Sequence, residues 1–289
     1  MGGDMNVQIL QTSPIWEDKL ASQAGVIAML ERCPPVPGSL LVLPEMFSTG
    51  FSMNVAVTAQ TEAREDEAFL SGVAMKHHCA VMGGVVSPLV EGKAQNESVT
   101  FGPDGELLAR YAKQQLFCLG GEADCHTPGE AVIAFPLQGF MVAPFVCYDL
   151  RFPELFRDAA MVGANLLVVI ASWPVKRYHH WLTLLQARAI ENQAYMVGVN
   201  RAGSDPHLHY NGRSVVVSLT GTSLLMRENP PDRFRPGWTL LICRSGGKSF
   251  RLCEILDGRR VLVSKYCGAG QGCCVVFCWE MGVDLRLMR

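Results

Sequence analysis

Two patterns of apolar residues alternate along the first 220 positions of the chain. Val7-Gln8-Ile9-Leu10-Gln11 reads as a short strand, after which Trp16, Leu20, Ile27 and Leu30 fall near one face of a helix. Cys33-Pro34-Pro35-Val36-Pro37-Gly38 stops that helix, because proline lacks the N–H that a helical turn requires. Leu40-Leu41-Val42-Leu43 is continuously apolar, as expected of a strand covered on both faces. Phe69, Leu70, Val73 and His77 sit at helical spacing within 61–78, and 80–86 reads as the next strand. Segments 96–101 and 106–111 flank Gly102-Pro103-Asp104-Gly105, which predicts a hairpin. Further on come an apolar strand over 140–146, a helix opened by Pro153 and closed near Gly163, and a buried strand over 166–171. A helix over 181–192 and strands over 195–199 and 214–219 complete the pattern. Strands alternating with helices, interrupted by one hairpin, predict a layered α/β domain with helices covering the sheets.

Composition narrows the possibilities. The 289 residues carry 25 basic and 27 acidic side chains, a formal charge of −2 that gives no reason to expect nucleic acid or an anionic membrane as partner. No apolar run approaches the roughly 18 residues needed to span a bilayer. The N-terminus lacks a basic segment followed by an apolar one, so no secretory signal is expected. Met1-Gly2 is followed by Asn6 where a myristoylation motif needs Ser or Thr. Eleven irregularly spaced cysteines, an odd number, favour reduced thiols and a cytoplasmic setting over a disulfide framework.

Three chemically capable residues each follow a strand. Cys147 stands where an apolar strand turns towards a helix, a junction that exposes a side chain beside backbone N–H groups. The helix N-terminus there should make the thiol easier to ionise, although a lone cysteine also serves as a small core hydrophobe. Glu45 ends the strand at Leu43-Pro44, and Lys113 lies just past the second arm of the hairpin; each would otherwise be an ordinary surface charge. Strands that end on one side of a sheet can bring all three to one pocket. Together they suffice for acyl transfer: the carboxylate takes the thiol proton, the thiolate attacks a carbonyl, and the ammonium and a backbone N–H stabilise the oxyanion. Cys118, Cys125 and His126 lack the paired spacing of a zinc site, so no metal is expected.

The residues around these three resemble a known family. Leu43-Pro44-Glu45-Met46-Phe47, Tyr111-Ala112-Lys113-Gln114-Gln115-Leu116-Phe117 and Cys147-Tyr148-Asp149-Leu150-Arg151-Phe152-Pro153-Glu154 look like the three signature blocks of the nitrilase, or carbon–nitrogen hydrolase, superfamily. Ala171-Ser172-Trp173-Pro174, His180-Trp181, Gln186-Ala187-Arg188-Ala189-Ile190-Glu191-Asn192-Gln193 and Val199-Asn200-Arg201 extend the likeness, which is greatest to the ω-amidase branch. The resemblance implies a four-layer α-β-β-α sandwich, usually paired as a homodimer and without metal or organic cofactor. It implies Glu45 as general base, Lys113 as oxyanion stabiliser and Cys147 as the nucleophile that forms a thioester. Glu122 would be a second glutamate orienting Lys113, and the Tyr148 backbone N–H a second oxyanion donor. The substrates implied are small amides, 2-oxoglutaramate and related short α-keto monoamides; alternatives are an N-carbamoyl amidohydrolase, an aliphatic amidase or an inactive protein of the same fold. The free carboxylate of such a substrate needs a cation, for which Arg177 is the candidate, with Phe117 and Trp173 as walls.

The family pattern stops after Leu219, which divides the chain into a hydrolase domain, 1–220, and a divergent tail, 221–289. The tail holds six of the eleven cysteines, at 243, 253, 267, 273, 274 and 278, and no histidine. Eleven basic residues against six acidic ones give it a surplus of five positive charges. Enrichment in Arg, Gly, Cys and Trp without sustained periodicity fits a shift of reading frame near 218–230. A zinc appendage is the competing idea, but Cys267, Cys273, Cys274 and Cys278 lack paired metal spacing.

Overall fold

The computed structural model describes residues 4–228 and the strands Trp238–Cys243, Ser249–Leu256, Arg259–Tyr266 and Cys274–Trp279. One sheet is built on β1 (Asp4–Ile9), β2 (Leu40–Val42), β3 (Ala80–Val86), β4 (Asn96–Phe101) and β5 (Leu107–Ala112), side by side in that order. β1, β2 and β3 run parallel, whereas β4 and β5 fold back antiparallel. The helices α1 (Lys19–Arg32) and α3 (Glu65–His77) make the two crossovers, with a single turn, α2 (Val55–Thr58), between them. A short helix, α4 (Glu122–Cys125), follows β5. The second sheet starts from β6 (Phe135–Leu137), β7 (Phe140–Val146), β8 (Leu166–Ala171) and β9 (Tyr195–Asn200). α5 (Pro153–Met161) and α6 (Tyr178–Asn192) connect its three parallel strands β7, β8 and β9. β10 (Ala202–Ser204), β11 (His209–Val217) and β12 (Ser223–Glu228) finish this sheet. The β11–β12 turn is closed by the Ser218 N–H on the Thr222 carbonyl and crosses residue 220. Trp238–Cys243 pairs antiparallel with β1, and the last three strands continue that edge.

Period-2 alternation decides the layering. Leu40 and Val42 join Met5, Val7, Ile9 and Met82 in a core shared with Val142, Phe145 and Val168 of the other sheet. Leu41 and Leu43 point the opposite way, to Val26 and Leu30 of α1 and Leu70 and Val73 of α3. Phe156, Trp181 and Leu185 from α5 and α6 cover the outside of the second sheet. The result is the expected four-layer α-β-β-α sandwich. Among the described residues, no helix is long and apolar enough to cross a membrane.

Local chemistry moved several element boundaries. α1 begins at Lys19 because Asp18 caps it, its carboxylate accepting the Ala21 N–H at 2.9 Å. Trp16 therefore precedes the helix and Leu20 is exposed; Ser22, Val26, Met29 and Leu30 form the buried face instead. α3 starts at Glu65, and α6 three residues before the expected position, at Tyr178. The hairpin forms where Gly102-Pro103-Asp104-Gly105 placed it, with Gly105 at φ 84°. Gly163, at φ 93°, follows α5 and donates its N–H to the Ala160 carbonyl. Several short elements were missed, among them α2, α4, β6 and β10, and at the site Cys147–Arg151 is a 3-10 turn inserted between β7 and α5.

Candidate active site

Glu45 leaves the end of β2 and turns inward, with none of its surface exposed to solvent. Its Oε1 accepts hydrogen bonds from Asn96 Nδ2 at 2.8 Å and Lys113 Nζ at 3.1 Å, and its Oε2 accepts the Ser172 N–H at 2.7 Å. Lys113 follows β5, equally buried, its backbone N–H held by the Asn96 carbonyl. Nζ also donates to both oxygens of Glu122, at 2.9 and 2.8 Å. Glu122 opens α4 and accepts the Phe117 N–H at 2.7 Å and a second Asn96 bond at 2.8 Å. Asn96 thus spans the two carboxylates that flank one ammonium.

The cluster fixes its own charges. Burial alone would push Lys113 towards the neutral amine, but the charges of Glu45 and Glu122 outweigh it and hold the ammonium well above its usual range. Burial likewise pushes Glu122 up, yet Lys113, Asn96 and the Phe117 N–H leave it below an ordinary carboxylate. One ammonium between two carboxylates leaves a net charge of about −1 beside the thiol.

Cys147 begins the 3-10 turn at φ 48°, a left-handed conformation that a non-glycine residue adopts only under constraint. Its electrostatic neighbours are Glu45, Lys113 and Glu122, so the thiol, acid and amine do meet. The direction of its ionisation differs from the sequence expectation. Burial and the Glu45 charge push the thiol well above its ordinary range, despite Lys113 and a hydrogen bond from the Ser172 N–H. The helix N-terminus on which the expectation rested is also displaced along the chain, since α5 starts only at Pro153.

Cys147 and Ser172 line a pocket with Phe51, Phe117, Trp173 and Leu208. Arg151 and Arg177 line it too. The Arg177 guanidinium sits over the Phe117 ring at 5.4 Å, and no carboxylate pairs with it among the described residues. Arg151 lies over Trp173 at 4.9 Å and its Nη2 meets His180 Nδ1 at 3.1 Å. Tyr148 packs its ring on Phe117 at 5.1 Å. Trp173 is held by its N–H on Asn200 Oδ1 at 2.7 Å and its indole N–H on the Arg177 carbonyl at 2.8 Å.

Asn96, Ser172 and Phe51 were not among the predicted site residues, nor was Tyr210, which also lines the pocket. Asn96 opens β4, whose six residues are all buried, a burial that the polar residues of this segment did not announce. Cys125 Sγ and His126 Nδ1 lie 3.2 Å apart, but among the described residues no three His, Cys, Asp or Glu side chains are grouped to hold a metal ion. The proposed zinc set Cys267, Cys273, Cys274 and Cys278 lies outside the described side chains.

The chain belongs to the carbon–nitrogen hydrolase family, whose model matches residues 7–230, and it is a hydrolase acting on C–N bonds. Among its relatives, "Omega-amidase YafV" of Yersinia enterocolitica is 37% identical over 218 residues, 75% of this chain and 82% of that protein. The 2-oxoglutaramate amidase of Bacillus subtilis is 34% identical over 186 residues, 64% of this chain and 72% of that protein. The fold matches the crystal structure of XC1258 from Xanthomonas campestris, a CN-hydrolase superfamily protein with an arsenic adduct in its active site. That match has a TM-score of 0.75 and 31% identity, covering 84% of this chain and 91% of the other. An amidase of the nitrilase superfamily from Nesterenkonia AN1 matches with a TM-score of 0.73 and 25% identity, covering 84% and 91%.

Proposed function

We propose that the protein is an amidase that hydrolyses the terminal amide of short α-keto dicarboxylate monoamides, 2-oxoglutaramate and 2-oxosuccinamate, through a thioester on Cys147. The observation that carries the reading is the buried Glu45–Lys113–Glu122 cluster beside a thiol that shares a pocket with two arginines. The thiol is protonated at rest, so it needs a base at the moment of attack, and Glu45 fills that role. As Sγ attacks the amide carbon, its proton passes to Glu45. The carbonyl oxygen takes up negative charge that Lys113 and the Tyr148 N–H stabilise. Glu45 then protonates the amide nitrogen, the C–N bond breaks, and ammonia leaves a thioester on Cys147. Water attacks that thioester after giving a proton to Glu45; the C–S bond breaks, the sulfur recovers the proton and the acid departs.

Glu122 keeps Lys113 charged and oriented throughout. Arg177 grips the substrate carboxylate, with Phe117 and Trp173 as walls. The ω-amidase and 2-oxoglutaramate amidase names of two relatives support the substrate class. On the same reading the protein works as a cytoplasmic homodimer.

Ammonia release from 2-oxoglutaramate, an N-carbamoyl amino acid and a simple aliphatic amide, with Cys147→Ala as blank, tests the proposal. The keto-acid amide should be turned over best. Arg177→Ala should raise its KM by about 10- to 100-fold, the loss of one charged hydrogen-bond pair. Preference for the carbamoyl compound, or an unchanged KM, would refute the substrate or the role of Arg177 respectively.

A further inference from the structure

Asp149 lies two residues after the nucleophile and has no exposed surface. Its Oδ2 accepts the Tyr111 hydroxyl at 2.8 Å and the Val146 N–H at 2.9 Å, and its Oδ1 accepts the Gln115 N–H at 2.8 Å. The three donors occupy informative positions. Tyr111 and Gln115 stand two residues either side of Lys113, and Val146 immediately precedes Cys147. Tyr111 belongs to the first sheet and Val146 to the second, so one carboxylate ties the sheets together at the site.

We infer that Asp149 is a positioning residue: it fixes the segment bearing Lys113 against the strained turn bearing Cys147, and so sets the spacing between ammonium and sulfur. Apolar packing between the sheets is non-directional and would tolerate a small slip. The chemistry would not, since a displacement of ~1 Å can cost about a hundredfold in rate. Three directional bonds to one buried carboxylate supply what the packing lacks. Burial pushes Asp149 up to about 6, against the pull of its hydrogen bonds and of Lys113, which leaves an ionised acceptor at neutral pH. The inference deepens the amidase reading and rests on it for the roles of Lys113 and Cys147.

Asp149→Asn and Tyr111→Phe test it. An amide in place of the carboxylate has one acceptor oxygen and a donor NH2 facing three donors, so at least one bond is lost. Asp149→Asn should lower kcat by about tenfold or more with KM within about threefold, the pattern of misplaced groups rather than lost binding. Tyr111→Phe, which removes one bond of three, should lower kcat by less. The double variant should be no slower than Asp149→Asn alone, because both act through the same carboxylate.

A second readout does not depend on turnover: the pH midpoint for alkylation of Cys147 by iodoacetamide. If Lys113 drifts from the sulfur, the midpoint rises in both variants. A purely electrostatic influence of the Asp149 charge would instead lower it in Asp149→Asn and leave Tyr111→Phe unmoved. Folded variants with unchanged kcat, independent losses that multiply, or a lowered midpoint would overturn the inference. Should Asp149→Asn fail to fold, Tyr111→Phe decides alone by the same two readouts. A wild-type protein that releases no ammonia from any amide would refute the amidase reading, and the alkylation midpoints would still judge Asp149.

Discussion

At Cys147, burial and a nearby carboxylate oppose a nearby ammonium, and the first two win. A raised pKa means that the thiolate fraction at neutral pH is smaller than that of a free cysteine. Alkylation of Cys147 by iodoacetamide should therefore be slower at pH 7 than that of a free thiol, and should keep rising beyond about pH 9. A plateau below about pH 8 would contradict this. The lysine gives a complementary prediction. Lys113→Ala would leave Glu45 and Glu122 buried together without their cation, at a cost of about 3–5 kcal/mol at pH 7. The orphaned carboxylates would then have raised folded-state pKa values, so the deficit should shrink as pH falls through them. Denaturant unfolding at pH 7 and pH 5 measures both; an undiminished stability would show the cluster to be already uncharged. Glu45, Lys113 and Cys147 were legible in the sequence because each interrupts or ends an apolar run. Asn96, Asp149 and Ser172 were not, because a polar residue at a strand end or in a turn normally faces water, and only the packing of two sheets buries these.

Elements place the site by ending together. β2, β5 and β7 each deliver one candidate catalytic residue past the strand's end, Lys113 and Cys147 immediately and Glu45 three residues on. β3 supports the first of these through an approach that only glycine permits. A Cβ on Gly84 would lie 2.5 Å from the Glu45 Cα and 2.7 Å from the Met46 N. Gly84→Ala must therefore push the Glu45 backbone away, since neither neighbour is a flexible side-chain end. A loss of about 1–3 kcal/mol in denaturant unfolding is expected, with kcat falling more than KM changes. Activity equal to wild type would show that the strand end tolerates displacement. Strand runs and the Gly102–Gly105 hairpin could be read from the sequence, because burial on both faces and turn chemistry are local properties. The start of α1 was misread because apolar spacing extended the helix back to Trp16, whereas the Asp18 cap begins it later. The turn at Cys147–Arg151 escaped because five residues are too few for a periodicity.

For the whole molecule, two βαβ halves face each other across a shared apolar core, and the candidate catalytic groups come from both. The layering was legible because continuous apolar strands such as 40–43 require cover on both sides. Which strand ends meet was not, since β2 and β8 lie 127 positions apart at the Glu45–Ser172 contact. The divergent tail has its own check. If a shift of reading frame near 218–230 produced it, another translation of the coding DNA should restore a Pro-x-Gly turn and an amphipathic strand pair. The absence of such a continuation in every frame would refute the shift.

The central claim is that Cys147 carries the acyl group of an amide between two half-reactions. Intact-protein mass spectrometry after rapid acid quench of enzyme with 2-oxoglutaramate tests it most directly. The account predicts an adduct of the substrate less ammonia, confined to the peptide containing Cys147 and missing from Cys147→Ala. Ammonia release without any such adduct, or with the adduct retained in Cys147→Ala, would contradict it.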